Sequence, residues 1–163
     1  MNNLRVVSGG QTGIDLAGVT AACVLGIPTG GWAPKGWVTT HGQKHGTMTQ
    51  FGLKECEVPG YAERTKRNVR DSHFTLILFE DYNSPGERCT RRYIESLQRP
   101  HYEFNMTLPQ EQEHFIGLAA KTINACRQSP CYVINIAGNS EVTCPGIFIR
   151  ALPILGKIFS KLV

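Results

Sequence analysis

The stretch Ser8-Gly9-Gly10-Gln11-Thr12-Gly13-Ile14-Asp15, directly after the apolar run Leu4-Arg5-Val6-Val7, decides how this chain is read. An apolar run that ends in glycines and passes at once into an alanine-rich amphipathic segment reads as strand, tight turn and helix N-terminus. Such a turn aims backbone N–H groups and the positive end of a helix dipole at one spot, which holds an anion without any charged side chain. Glycine permits φ > 0 and close backbone approach there. The glycines at 9, 10 and 13 do not make the G-x-G-x-x-G of dinucleotide folds, and no Gly-Lys-Ser/Thr of a P-loop follows. The stretch is therefore either an anion cradle or a sharp βα turn with no ligand. Asp15 divides in the same way: a carboxylate in the first turn suits the helix dipole, and it could also accept a ring N–H or a ribose hydroxyl.

Working outward, apolar runs predict strands over 4–8, 27–31, 73–79, 101–106 and 131–137, and helical periodicity predicts helices over 14–26, 60–71, 85–98, 110–127 and 145–161. This nearly strict alternation argues for an α/β fold: a mostly parallel, roughly five-stranded sheet with helices on both faces, in three layers. Phe74–Phe79 and Cys131–Ile136 are near-continuous apolar runs, as expected of strands buried on both sides. The run His101–Met106 alternates and belongs nearer an edge. Ser84-Pro85-Gly86-Glu87 combines an N-cap serine, a proline at the first helical position and the glutamate of a capping box. Pro153 should kink or break the last helix. The stretch 39–58 has little periodicity and is long for a connection, so it is expected to be functional, ordered by a ligand, or packed on another subunit. With no linker or composition shift, residues 1–163 are read as one domain.

Composition narrows the function. Charged residues make up 18% and hydrophobic ones 41%, an ordinary globular balance. The net charge of +4 is too small and scattered for nucleic acid but suits a small anionic ligand. No apolar run approaches membrane-spanning length and no targeting segment is recognisable, so a cytoplasmic protein is expected. The six cysteines include no C-x-x-C pair, and reduced thiols are the expectation. His41 and His45 stand in H-x-x-x-H spacing but between glycines, which disfavours a shared metal; no metal site is expected.

Ligands of open α/β sheets sit at the carboxyl ends of the strands, where strand order reverses. After the second predicted strand comes Gly30-Gly31-Trp32-Ala33-Pro34-Lys35-Gly36-Trp37. There Lys35 could neutralise a phosphate and Trp32 could stack on a flat heterocycle, or both could be ordinary surface and edge residues. Glu80–Ser84 and Ala137–Glu141 are further ligand-facing loops. Arg64, Arg67, Asn68 and Asp71 share a helical face; for the arginines a solvated charged face is the favoured reading.

Ser8-Gly9-Gly10-Gln11-Thr12-Gly13-x-Asp15 together with Gly26-Ile27-Pro28-x-Gly30-Gly31-Trp32-x-Pro34-Lys35-Gly36 resembles the molybdenum cofactor carrier family. Tyr61–Thr65, Asn68–Ser72, Thr75–Leu78, Ser84-Pro85-Gly86, Asn135–Gly138 and Pro145–Ile147 continue the resemblance in the family's order over most of the chain. The resemblance implies a Rossmann-like domain of the lysine-decarboxylase-like (SLOG) nucleotide-ligand superfamily, forming homo-oligomers, often tetramers. It implies binding, protection and delivery of molybdenum cofactor (molybdopterin), with a molybdoenzyme as acceptor. By position it points to Gly9, Gly10, Gln11, Thr12, Gly13, Lys35, Ser84 and Gly86, beside Asp15, Trp32 and the retained Thr90. The chain departs from the family pattern at Ala33, Trp37, the 38–46 stretch and Glu87, where the family carries a threonine. A glutamate in the first helical turn competes with a phosphate docked there. The alternative from the same superfamily is nucleotide binding, or a nucleoside-monophosphate phosphoribohydrolase-like enzyme. The segment Ser84–Arg91 lacks the second glycine pair and the downstream glutamate of those enzymes, so no catalytic residue is assigned.

Overall fold

The computed structural model describes residues 3–163. Chain order is β1 (Asn3–Ser8), α1 (Ile14–Val24), β2 (Thr29–Ala33), a hairpin of β3 (Val38–Thr39) and β4 (Gly42–Gln43), α2 (His45–Gln50), β5 (Leu53–Glu55), α3 (Tyr61–Arg70), β6 (Phe74–Phe79), α4 (Pro85–Ser96), β7 (His101–Asn105), α5 (Gln112–Cys126), β8 (Cys131–Gly138) and α6 (Ile147–Ser160). The main sheet has six strands in the order β5-β2-β1-β8-β6-β7. Every neighbouring pair in it is parallel.

The sixth strand is β5, which lies inside the stretch expected to be an irregular connection. Only Leu53 of its three residues is buried, so neither an apolar run nor a period announces it. Its neighbour β2 starts at Thr29 because Ile27 still donates back to Ala22 of α1, which moves the strand two residues past its expected start. As expected, β7 lies at the sheet edge. The helix α6 continues through Pro153 rather than breaking there. Pro153 and Ile149, whose carbonyl loses its helical partner, both lie on the exposed side, where water can satisfy that oxygen. Among the described residues, no helix is long and apolar enough to cross a membrane.

The two faces of the sheet are packed unequally. Phe74, Leu76 and Leu78 of β6, with Tyr132, Ile134 and Ile136 of β8, point into one large core beneath α1, α5 and α6. The alternate residue Ile77 and the last residue Phe79 belong to a much smaller cluster with Val69 and Ile94, bordered by Tyr93 and Leu97, under α3 and α4. On that face β8 also carries Asn135, whose amide donates to Thr75 at 3.4 Å. The thinner apolar layer leaves room for a cleft above it.

Connectivity places that cleft. The chain moves outward from β1 through β2 to β5, crosses to β6 and β7, and returns as β8 between β1 and β6. Ser8 pairs with Ile136 and Leu78 with Gly138, so three strands end side by side at the centre of the sheet. The loops that leave them, 9–13, 80–84 and 139–146, meet at the point where strand order reverses.

Candidate functional site

The turn after β1 is built as the sequence suggests and then closed by its own side chains. Gly10 and Gly13 adopt φ of 73° and 87°, conformations that L side chains rarely take. The Gly10 amide donates to Ser8 Oγ at 3.2 Å, the Gln11 amide to Asp15 Oδ2 at 3.2 Å, and the Thr12 amide to Gln11 Oε1 at 2.9 Å. The Ile14 amide donates to the Asn139 carbonyl at 3.1 Å. The amides of Gly10, Gln11, Thr12 and Ile14, at the centre of the expected cradle, are therefore already committed.

Asp15 closes the turn at Gln11. Its carboxylate is 3% exposed and accepts from Arg64 Nη1 at 2.9 Å as well as from the Gln11 amide. Burial pushes its carboxyl above the ordinary carboxylate range, while Arg64 and the neighbouring amides pull it back. Arg64 lies flat on Gly9: a Cβ there would fall 1.7 Å from Nη1. The Nε of Arg64 is buried without a partner.

A second hub is Asn139, fully buried at the end of β8. Its Oδ1 accepts the amides of Glu80 and Asp81 at 2.7 and 2.9 Å. Its Nδ2 donates to the Asp81 carbonyl at 3.0 Å and to Glu87 Oε2 at 2.6 Å. The Asn139 side chain thus ties its own loop to the 80–84 loop and to α4, while its backbone carbonyl holds the first residue of α1. The Ser84 hydroxyl makes no cap bond, so the expected capping box is not formed. Glu87 turns to Asn139 instead. Burial pushes its carboxyl up to about 7, against the Asn139 hydrogen bond.

Between these hubs lies a cleft of about 340 Å³, open to solvent and bounded by α3, α4, the α1 turn and the 139–143 loop. It brings together the predicted Gln11, Asp15, Ser84, Gly86 and Thr90. It also holds residues that sequence reasoning passed over or set aside: Tyr61, Arg64 and Thr65 of α3, and Thr40 of the β3–β4 turn. Gln11 Oε1 accepts the Thr40 amide at 3.0 Å, which fixes that turn on the cleft rim. Arg64 is the lysine, arginine or histidine of the described lining, and Tyr61 its aromatic ring.

The other predicted residues point elsewhere. Thr12 and Gly13 face a shallower hollow on the far side of their loop, beside His41 and Lys44. Gly10 faces the small cluster around Met48 and Leu53, where a Cβ would meet Leu53 at 2.7 Å. Trp32 is held against α3: Asp71 accepts its indole N–H at 2.8 Å and Arg67 covers its ring at 4.7 Å. Asn68 grips the Trp32 backbone by two hydrogen bonds of 2.9 and 3.0 Å. Lys35 is exposed in the 3₁₀ turn after β2, outside the cleft. His41 bonds Thr40 while His45 packs edge-on against Trp37.

A parallel sheet whose reversal point opens into a small cleft defines a Rossmann-like α/β fold. The chain belongs to the circularly permutated YpsA SLOG family, whose model matches residues 6–159. It is also similar to a crystal structure of a protein from Syntrophus aciditrophicus SB that is provisionally named a molybdenum carrier protein. The two share 28% sequence identity with a TM-score of 0.82, over 98% of this chain and 94% of that one. No curated protein matches the chain.

Proposed function

We propose that the cleft binds molybdenum cofactor, or a closely related phosphorylated heterocycle, and carries it as cargo. The observation that carries this reading is Arg64: a guanidinium on the cleft wall, oriented by buried Asp15, with a buried Nε still lacking a partner. A preoriented guanidinium is a strong receptor for phosphate oxygens. Gly86 and Gly138 present bare backbone to the cleft and Tyr61 adds a ring, a surface that suits a flat heterocycle. The likeness to a structure provisionally named a molybdenum carrier supports the choice of cargo. The anion is assigned to Arg64 rather than to the turn after β1, where the Gly10, Gln11 and Thr12 amides are occupied. Delivery to a molybdoenzyme and assembly as a homo-oligomer, a tetramer favoured, belong to the same proposal.

A second reading has one observation in its favour. Glu87 is a cleft carboxyl held near 7, a suitable general acid for cleaving a nucleoside monophosphate. Anoxic native mass spectrometry, with molybdenum cofactor and AMP offered separately, decides between them. Retention of the cofactor with AMP unchanged supports the carrier and gives the oligomer in the same spectrum. Cleavage of AMP with no cofactor retained replaces the carrier by the enzyme.

A further inference from the structure

Glu87 is a buried carboxyl without a counter-charge. It is 2% exposed, it lines the cleft, and among the described residues no lysine, arginine or histidine pairs with it. Its side-chain partner is the Asn139 amide, on Oε2. The charged and titratable groups around it are Asp15 from α1, Arg91 of its own helix, Arg64 across the cleft and Cys144 from the 139–146 loop. Each cation is engaged elsewhere: Arg64 with Asp15, and Arg91 with Glu103 at 2.8 Å. A buried carboxyl so placed either keeps its proton or takes donors from a ligand.

We propose that Glu87 reads the amidine edge of the cargo, a 2-amino group beside a ring N–H as in a pterin or guanine, and thereby sets the specificity of the cleft. This rests on the cleft being the cargo site. An amidine edge offers two parallel N–H donors, which a carboxylate accepts as a fork. The corresponding edge of adenine offers one donor beside a lone pair, and the lone pair would face an oxygen. Asp15 cannot serve in this way, because a fork needs both oxygens and its Oδ2 already accepts from Arg64 and from the Gln11 amide. The ligand then spans the cleft, with its anionic end on Arg64 at α3 and its amidine edge on Glu87 at α4. That orientation keeps like charges apart.

The test is titration of the protein with pterin-6-carboxylate and lumazine-6-carboxylate, which differ by a 2-amino group against a 2-oxo group, between pH 6 and 7.5. Pterin should bind about tenfold more tightly, the worth of one charge-assisted hydrogen bond. Its Kd should fall roughly eightfold as pH rises over that range, because the ionised carboxylate is the acceptor and Glu87 starts near 7. Both effects should vanish in Glu87→Gln. Equal affinity for the two ligands, or pterin affinity that weakens as pH rises, overturns the assignment. The control is Gly86→Phe, which fills the cleft without touching the core, since a Cβ there meets only Ser84 Oγ at 4.0 Å. If pterin binds equally well to this variant, or fails to bind the wild type, the cleft reading fails together with the specificity. If both ligands bind equally and Gly86→Phe abolishes both, the cleft stands and only the role of Glu87 falls.

Discussion

Two carboxyls, Asp15 and Glu87, line one cleft in opposite conditions. Asp15 has an arginine and backbone amides; Glu87 has one neutral amide. The consequence for Glu87 is a stability that depends on pH. Its folded value of about 7 lies above the ordinary 4.5, so the folded chain holds this proton more tightly than the unfolded one. The stabilisation is fully present below about 4.5 and is lost as pH rises through 7, amounting to about 3 kcal/mol. Urea unfolding at pH 5 and pH 8 should show this fall in the free protein, and Glu87→Gln should flatten it. An unchanged slope in the variant would mean that the Glu87 proton is not linked to folding. For Arg64 the matching probe is Gly9→Ala. A Cβ at Gly9 collides with the mobile end of Arg64, so the guanidinium must leave Asp15 while the backbone stays in place. Phosphate-bearing ligands should bind at least about tenfold more weakly. Stability should fall by less than the 3–5 kcal/mol expected for Arg64→Ala, which strands a buried carboxylate. Calorimetry with thermal melts on both variants measures the two quantities.

Among the elements, length and periodicity separate what the sequence announces from what it hides. β6 and β8 are unbroken apolar runs, and burial on both faces requires that pattern, so both are legible. β5 is three residues with one buried side chain, and its existence depends on β2 being already in place beside it. The helix α3 is the instructive case. Its Arg64 and Arg67 share a face with Asn68 and read as solvated, yet Arg67 covers Trp32, Asn68 grips β2, and Arg64 turns to Asp15. Those destinations depend on residues far away in sequence, so spacing along the helix cannot reveal them. The loops at the strand ends are legible because topology alone brings them together, which is why Gln11, Asp15, Ser84, Gly86 and Thr90 reach the cleft. Side-chain closure of the β1 turn is not legible, because it depends on the rotamers of Ser8, Gln11 and Asp15. In α6, Pro153 removes one helical hydrogen bond from a helix that is otherwise continuous. Pro153→Ala should therefore raise stability by about 2 kcal/mol, or roughly 4–8 °C in Tm at this chain length. A lower Tm would show that the proline restricts the unfolded chain more than it weakens the helix.

At the scale of the whole molecule, the cleft follows from unequal packing. One face of the sheet carries the large core under three helices, and the other carries a thin apolar layer under α3 and α4. Polar groups are affordable on the second face because few apolar contacts are displaced there, and strand order places three loops at its centre. The central claim is that a cargo's anionic end sits on Arg64 inside this cleft, with the turn after β1 left closed. The most direct test is a crystal structure grown anoxically with molybdenum cofactor, the metal located by its anomalous scattering. The account predicts density between α3 and α4, with the phosphate within hydrogen-bond reach of Arg64 and the Asp15–Gln11 contact intact. Phosphate on the amides of Gly10–Gly13 with Asp15 displaced, or density in the hollow beside His41 and Lys44, would contradict it.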